Sequence, residues 1–589
     1  MSYDGLMLYA VKKEIEPLLQ DSRVGKVFQP QRLTIVLLLH KPQNSFRVLI
    51  SAGATDARLH LTTREYKNPD RPPSFCMVLR KYLDGARLVG LEQVGLDRVL
   101  SMIFDAPDPV LGRVQRVLKV ELMGKHSNLI LINRTDGLII DAIKKYDYTL
   151  SRHRQVLPGL PYVPPPKQDK LDPLVSSYDD FTRKLLAWPE VTALENALSA
   201  TVEGLSRSTA REIIKLGGLD PQKEIAQCGE LDLGTIWQKL QSAIRAIASR
   251  ESQPTIVSVG RNPKEIFPFR PQLDEHMLAE EANSLSELLD RFYGQRQNRE
   301  EINSIRASLK HTVNKNIEHC SEVMNKLQDG YNREDQALKK RLYGDLILMN
   351  LGRITIGDTV LWAENPFSPD SPPEAIPLDP QLTPSENAQR YYRAYSKYKR
   401  AAEVNRQRMQ KVKQELEYLQ SVLQAVEDAE SKEDLTELTE ELRSQGYIPP
   451  LKSKDRASSP SRQRPGPRRF VSSDGFLILV GKNNLQNEHV TFKISQPQDL
   501  WLHARGIPGA HVIIRSQGKP VPPQTLMQAA QIAAYYSQSR QAEKVEVDYT
   551  EARYIRKPKG LRPGLVTYSN EKTILVKPEL PLSPEIPRQ

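Results

Sequence analysis

Near the C-terminal end of the chain, a run of aromatic and basic residues has a composition suited to RNA binding. In an extended strand alternate side chains share one face, which would bring Trp501, His503 and Arg505 together. An aromatic ring beside a histidine and an arginine can stack on a base and bind a phosphate. His511, which opens the next predicted strand, is a further candidate. A buried tryptophan with a hydrogen-bonded histidine would give the same pattern.

Two short polar motifs in the N-terminal third lie at predicted turns. The pair Asp97-Arg98 precedes a strand, where such a pair commonly forms a cap or a surface ion pair of little energy. In the second motif, Gly124 permits close approach of the backbone, and Lys125 and His126 offer donors beside it. The second motif would suit a phosphate, although a polar hairpin turn is the commoner explanation.

A third candidate is a turn between two predicted helices that resembles a helix-hairpin-helix. Gly204 would form the turn, and Ser206 or Ser208 would cap the second helix. The exposed amides and the positive end of that helix would face a nucleic-acid phosphate. Arg207 and Arg211 would add positive charge. An ordinary turn between helices is the alternative.

Composition narrows the class of partner and the class of chemistry. A net charge of +11 and a pI of about 9.2 favour a polyanionic partner. Three scattered cysteines indicate a reducing compartment, with no disulfide framework and no zinc site. The chain has no P-loop, HExxH motif or nucleophile elbow, so we expect no hydrolase chemistry and no metal or cofactor. The absence of a signal-peptide pattern and of a long apolar run predicts a cytoplasmic protein.

The elements that would position these residues include a long amphipathic helix. From Tyr395 to Val426, apolar residues recur at alternating spacings of three and four, and Asn405 occupies the one polar position. This heptad pattern predicts a coiled coil. A shorter series with one extra residue, in the range 302–331, offers a partner helix in the same chain. We expect the two to form an antiparallel hairpin, with a parallel homodimer as the alternative.

The predicted fold class is a multidomain α+β protein. Its predicted segments are a β-rich domain (1–170), a helix-hairpin-helix domain (171–275), coiled-coil helix 1 (276–343), a small inserted module (344–394), coiled-coil helix 2 (395–443), a basic Ser/Pro/Arg linker (444–469) and an α/β domain (470–589).

In this order, these pieces resemble the NFACT family over nearly the whole chain. The segments that carry the resemblance are Asp499–Arg505 with Gly509–His511, Leu378–Pro380, Ser385–Tyr391, Ser2–Gly5, Asp97-Arg98 and Gly124–Asn128. The resemblance identifies the β-rich domain as NFACT-N, the inserted module as NFACT-M and the last domain as the RNA-binding NFACT-R.

The resemblance implies a factor of ribosome-associated quality control. Such a protein would bind a large ribosomal subunit with stalled peptidyl-tRNA, as a monomer, and recruit tRNA, which in bacterial members is alanyl-tRNA. The stalled chain would then be extended without mRNA and marked for degradation. Asp4, Asp97 and Arg98 match family positions tied to tRNA recruitment. Peptide-bond formation would belong to the ribosomal RNA, so the protein would not itself be an enzyme.

Other interpretations of the same sequence are a fibronectin-binding surface adhesin and a general RNA-binding scaffold. The N-terminal half also resembles formamidopyrimidine-type DNA glycosylases. Those enzymes need a Pro-Glu pair after the initiator Met, and Ser2-Tyr3 stands there instead, which argues against glycosylase chemistry.

Overall fold

The computed structural model describes residues 3–149, 153–260, 262–329, 332–366, 373–450 and 466–583. The chain divides into two compact units, Met1–Asn298 and Arg299–Gln589. A large β-rich N-terminal region, many helices and a C-terminal sheet confirm the predicted multidomain α+β class. In the described part of the chain, no helix is long and apolar enough to cross a membrane.

A nine-stranded antiparallel sheet forms the centre of the first unit. Its strands are β1 (Arg23–Gln31), β2 (Thr34–His40), β3 (Ser45–Ser51), β4 (Arg58–Leu61), β5 (Arg87–Gln93), β6 (Val99–Asp108), β7 (Gly112–Glu121), β8 (Asn128–Asn133) and β9 (Ile139–Ala142). They lie in the order β4-β3-β2-β1-β5-β6-β7-β8-β9. Sequence periodicity predicts β2 but not β1 or β4, because register shifts interrupt β1 and β4 is only four residues long.

Two helices, α1 (Gly5–Leu19) and α2 (Ser74–Leu83), pack against this sheet. Leu6, Ile15 and Leu79 are among the fully buried side chains at their contacts with the strands. Burying an aliphatic side chain of this size contributes about 1.5–3 kcal/mol. The sheet and helices therefore form a firm base for the turns that join the strands.

The rest of the first unit contains four helices and a second sheet. The helices are α3 (Tyr178–Leu186), α4 (Leu194–Thr201), α5 (Arg207–Leu216) and α6 (Glu230–Ser249), and the strands are β10 (Thr255–Val259), β11 (Asn262–Phe267) and β12 (Met277–Glu281). The three strands pair in the order β11-β10-β12. Sequence periodicity predicts helices in this region but not these three strands, which are too short to give a clear alternation of apolar residues.

Four further helices follow, of which the first crosses the boundary between the two units in sequence and the other three belong to the second unit. They are α7 (Leu285–Asp329), α8 (Asn332–Met349), α9 (Pro384–Asp428) and α10 (Lys432–Ser444). Between α8 and α9 lie the paired strands β13 (Val360–Ala363) and β14 (Glu374–Pro377).

The ends of these helices differ from the predicted ends for reasons of capping. Helix α9 begins earlier than predicted because Thr383 and Glu386 form a reciprocal capping box around its first turn. It also ends earlier, at Asp428, because Ala429 is extended and Ser431 caps a separate helix, α10. The predicted continuous helix at 395–443 is therefore two helices.

Helix α9 contacts both α7 and α8 along its apolar residues. Leu309 and Val313 of α7 belong to one buried cluster with Leu419 of α9. Lys310 pairs with Glu427 at 2.6 Å. In α8, Asp345 accepts a hydrogen bond from Tyr392 of α9 at 2.5 Å. Residue numbers therefore increase along α7 and α8 in the direction in which they decrease along α9.

The C-terminal domain is built on a six-stranded sheet in the order β15-β16-β18-β17-β19-β22. Its strands and helices are β15 (Arg468–Val471), β16 (Leu477–Val480), α11 (Asn484–His489), β17 (Leu500–Ala504), β18 (Val512–Ile514), α12 (Pro523–Tyr535), β19 (Val545–Glu551) and β22 (Lys572–Val576), and a separate pair is β20 (Ile555–Arg556) and β21 (Thr567–Tyr568). Most of the predicted basic linker, residues 451–465, lies outside the described residues.

Candidate RNA-binding site

The turn between β5 and β6 carries Asp97 and Arg98 and is held by side-chain hydrogen bonds. The Asp97 carboxylate accepts from the backbone amide of Arg98 at 2.6 Å. The Gln93 side chain donates to the backbone oxygens of Asp97 at 2.8 Å and Gly5 at 3.1 Å. In the part of the chain that is described, the Arg98 guanidinium has no hydrogen-bond or ion-pair partner. This turn therefore holds a free cation on a rigid support.

The same turn contacts the start of α1 and the turn between α4 and α5. A Cβ atom added to Gly5 would lie 1.7 Å from the Leu96 carbonyl oxygen and 2.6 Å from the Gly204 Cα. Gly204 has a φ of +80°, which an L side chain rarely adopts. The three backbones can approach this closely only with glycine at both positions, so the motifs predicted from separate segments meet at one point.

Asp4 bridges two of these segments. One of its oxygens caps α1 by accepting from the Met7 amide at 2.9 Å. The other accepts from the Ser206 amide at 2.8 Å and the Thr209 hydroxyl at 2.5 Å. The side chain is buried. In this conformation the carboxylate faces the protein interior, so any effect of Asp4 on tRNA would act through the position of these elements.

Two adjoining cavities open beside the turn. The smaller, of about 150 Å³, is lined by Asp4, Asp97 and Arg98 among others. The larger, of about 760 Å³, is lined by Arg98, Lys125 and His126 together with residues that sequence reasoning missed. Those basic residues are Lys144, Lys145, His153, Arg154 and Lys167. They lie between the end of a strand and a proline-rich segment, and their spacing in the sequence matches no binding motif that would have identified them as site residues.

The larger cavity is strongly positive. No carboxylate lines it among the described residues. Burial lowers the pKa of Lys144, and the charge of Arg32 lowers it further. Burial also lowers the pKa of Lys170 beside the smaller cavity, with Arg98 as the next cause. These two lysines are therefore partly desolvated, and an anionic ligand beside them would favour their charged form.

A buried ion pair shapes one wall of the larger cavity. Glu121, at the end of β7, is fully buried and accepts two hydrogen bonds from the Arg154 guanidinium, one at 2.8 Å and one at 2.5 Å. The Tyr162 hydroxyl donates to the same carboxylate at 2.8 Å. Burial alone would lower the pKa of Arg154, but hydrogen bonding to Glu121 raises it. Arg154 is therefore a structural cation that fixes the loop to the sheet.

In the helix-hairpin-helix segment the structure places both predicted arginines on one carboxylate. The Nε atoms of Arg207 and Arg211 each donate to Glu195 at 2.7 Å. Burial would raise the pKa of Glu195, but hydrogen bonds led by Arg211 hold it at about 2. Ser206, rather than Ser208, caps α5. Both arginine side chains stay substantially exposed, so they join α4 to α5 and still face solvent.

In the C-terminal domain, the expectation of an exposed aromatic face was wrong. Trp501 is fully buried, and the His503 ring stacks on it with centroids 5.6 Å apart. His511 is also buried, with Nδ1 2.8 Å from the Thr491 hydroxyl. Burial lowers the pKa of His503 to about 4, so its ring is neutral at pH 7. Among these four predicted residues, only Arg505 is largely exposed, near Glu546 and Asp548.

Comparisons with known proteins agree with this arrangement of segments. The family model for the NFACT N-terminal and middle domains matches residues 4–461. The model for the NFACT protein RNA-binding domain matches residues 467–570. These two matches cover most of the chain.

Two similar proteins match nearly the full length of the chain, and a third matches a short segment of it. The chain is 34% identical over 579 residues to the Rqc2 homolog RqcH of Bacillus subtilis, covering 98% of each chain. It is 32% identical over 580 residues to the Rqc2 homolog RqcH of Streptococcus pneumoniae D39, again covering 98% of each. A segment of 101 residues is 33% identical to the human ribosome quality control complex subunit NEMF, covering 17% of this chain and 9% of that protein. This chain belongs to the NFACT family.

Proposed function

We propose that this protein is a ribosome quality-control factor that recruits tRNA to a large ribosomal subunit blocked by peptidyl-tRNA. The stalled chain is then extended at its C-terminus without mRNA, with alanyl-tRNA as the substrate, and is thereby marked for degradation. Family membership with RqcH-type relatives supports ribosome quality control and RNA binding. The observation that carries the tRNA assignment is the cation-lined cavity beside Asp97 and Arg98.

The physical argument for RNA at this cavity rests on its charge and its rigidity. Phosphate groups supply the negative charge that the clustered cations lack. Arg98 extends from a turn whose backbone is fixed by Gln93 and Asp97, so little backbone entropy is lost when its side chain binds. The cavity, at about 760 Å³, is also large enough to accept a nucleotide-sized group.

The protein's own part in this function is to position tRNA. The bond between the nascent chain and each added residue would be formed by the ribosomal RNA, and the protein would not be an enzyme.

Helices α7, α8 and α9 would form an antiparallel coiled-coil arm, supported by contacts such as Lys310 with Glu427. The protein would work in the cytoplasm, where stalled large subunits occur.

The double variant Asp97→Ala, Arg98→Ala tests the tRNA assignment. Purified from cells, it should recover much less tRNA than the parent protein while sedimenting equally with large subunits. Loss of one good arginine contact costs about 1–3 kcal/mol, which is roughly a 5- to 150-fold loss of affinity. Sequencing of the copurified RNA shows whether one tRNA predominates or whether the protein is a general RNA-binding scaffold.

Arg113→Ala is a matched control on the same sheet. Arg113 is exposed and pairs with Asp105 at 2.7 Å, near the hairpin end of β6 that is far from Asp97. Its loss should leave tRNA recovery unchanged. Equal tRNA recovery by the double variant and the parent would reject the assigned site.

A further inference from the structure

One face of α9 carries a long row of exposed cations that none of the motifs above includes. We call it the basic stripe, and its six members are Arg390, Arg393, Lys397, Arg400, Arg408 and Lys411. At about 100° per residue these positions fall within an arc of roughly 80°. All are exposed. The row covers 21 residue steps, or about 32 Å of helix.

The basic stripe is nearly free of compensating negative charge. Only Arg390 has an ion-pair partner among the described residues, Asp379 at 3.0 Å. The one acidic residue of α9 between positions 390 and 411, Glu403, pairs with Arg406 outside the stripe. Like charges at spacings of three and four residues destabilise a helix by about 0.2–0.5 kcal/mol per pair. The stripe therefore opposes the stability of its own helix, which points to a binding role.

The position of the stripe limits the kind of anion that fits it. Alongside the stripe, from Tyr395 to Met409, the apolar seam lies roughly 140° around the helix from it. Further along the seam, Val412 and Leu419 belong to one buried cluster with residues of α7. Within the stripe, Val404 is the single exposed large aliphatic residue, at 62% exposure. A membrane-surface helix needs a broad apolar face next to its cations. The apolar face of α9 is already occupied within the protein.

We propose that the basic stripe binds the phosphate backbone of a folded RNA helix. Lysine and arginine side chains without carboxylate partners contact phosphates and position a protein without reading base sequence. A duplex presents closely spaced negative charge over the whole length of the stripe. The inference rests on the proposed function only for the identity of the RNA, and it gives α9 an RNA contact separate from the cavity beside Arg98.

Charge reversal within the stripe tests this inference in the full-length protein. The variant Arg393→Glu, Lys397→Glu, Arg400→Glu is titrated with a fluorescent RNA duplex of about 24 base pairs and arbitrary sequence, at several KCl concentrations. Affinity should fall at least tenfold. The slope of log K against log salt should shrink by about 2–3, since each lost phosphate contact removes roughly 0.9.

A control with the same change in charge lies on the same helix. Lys399, Arg406 and Lys413 are also exposed, recur every seven residues and lie beside the seam outside the stripe. Reversing these three should affect duplex binding much less. Equal losses in the two variants would show a general effect of net charge and overturn the proposal, as would unchanged binding in the stripe variant.

Two further measurements complete the test. Stripe-dependent binding of polyglutamate, with no stripe-dependent binding of the duplex, would instead identify an acidic protein as the partner. If circular dichroism shows that the reversed variant is misfolded, glutamine at the same positions replaces glutamate. The stripe and the proposed function can fail separately. If duplex binding does not depend on the stripe but tRNA recovery still depends on Asp97 and Arg98, the stripe proposal is rejected and the proposed function is kept. If duplex binding depends on the stripe but tRNA recovery does not depend on Asp97 and Arg98, the tRNA site is rejected and the stripe proposal is kept.

Discussion

At the scale of single residues, Asp4 joins two distant segments of the first unit through its buried carboxylate. Its two oxygens accept hydrogen bonds from α1 and from the Ser206–Thr209 turn, which brings two distant segments together. We expect Asp4→Ala to lower the free energy of unfolding of the first unit by about 1–3 kcal/mol, because it removes a helix cap and leaves buried donors unpaired. Differential scanning calorimetry measures the change.

The conservative variant Thr209→Val separates this structural role from direct RNA contact. It removes one of the hydrogen bonds to Asp4 and should produce a smaller shift in unfolding temperature. An Asp4→Ala protein that unfolds at the parent temperature yet fails to recover tRNA would contradict the structural role.

Glu195 provides a pH-dependent prediction. Its pKa in the folded protein is about 2, against an ordinary value of 4.5. A depressed pKa means that the stability from the ionised group is present above about pH 4.5 and is lost as the pH falls towards 2. Glu195→Gln should lower the unfolding temperature at pH 7 and narrow its difference from the parent as the pH falls to 3. A difference that stays constant over this range would count against the assigned pKa.

The sequence identifies candidate residues and the elements that carry them, but it does not predict their burial or their ion-pair partners. Alternation correctly places Trp501 in a strand, β17, but the same alternation fits an exposed or a buried ring. Likewise, the charge of Arg207 and Arg211 is visible in the sequence, whereas Glu195, which neutralises part of it, lies on a different helix. Burial and ion pairing depend on contacts between distant segments, which periodicity does not report.

At the scale of elements, the start of α7 is fixed by residues of the N-terminal domain. Glu14 accepts from the amides of Leu285 at 2.6 Å and Ser286 at 3.1 Å. One turn later, Asp290 accepts from the Thr62 hydroxyl at 2.7 Å. These bonds satisfy amides that a helix start leaves unpaired, and the carboxylate of Glu14 favours the positive end of the helix dipole.

We expect Glu14→Ala to loosen the first turn of α7 without unfolding the protein. The loss should be about 0.5–2 kcal/mol, the usual range for a helix cap. Hydrogen–deuterium exchange should therefore quicken at residues 285–288, while exchange in the middle of α1 stays at the parent rate. Exchange that rises equally across both helices would show general destabilisation instead of a local cap.

The long helices illustrate how much of an element can be predicted. The spacing of apolar residues from Tyr395 to Val426 correctly predicts a helix, which α9 contains in full. The capping box at Thr383 and Glu386 was also present in the sequence and marks the true start. The break after Asp428 carries no glycine or proline, but Ser431 and Asp434 form a capping box that marks the start of the separate helix α10 in the sequence as well.

At the scale of the whole molecule, the net charge is +11, and the positive side chains differ in how far ion pairs neutralise them. Part of the positive charge is neutralised in structural pairs such as Arg154 with Glu121. Apart from Arg154 and Lys145, which pairs with Asp141, the cations of the larger cavity have no ion-pair partner among the described residues, and in the basic stripe on α9 only Arg390 has one. Among the described residues, these two surfaces therefore offer clustered positive charge to a polyanion.

This distribution predicts a steep salt dependence for the proposed binding to large ribosomal subunits. Neutralising 6–10 phosphates releases their counterions, and affinity should then fall by roughly 10³–10⁵ between 50 and 200 mM salt. Cosedimentation at several KCl concentrations and one fixed Mg²⁺ concentration measures the slope, because constant Mg²⁺ keeps the subunit intact. The Asp97→Ala, Arg98→Ala variant should keep nearly the parent slope, whereas the stripe variant should lose about 2–3 from it. A flat salt profile for the parent protein would show that contacts with ribosomal proteins dominate the association.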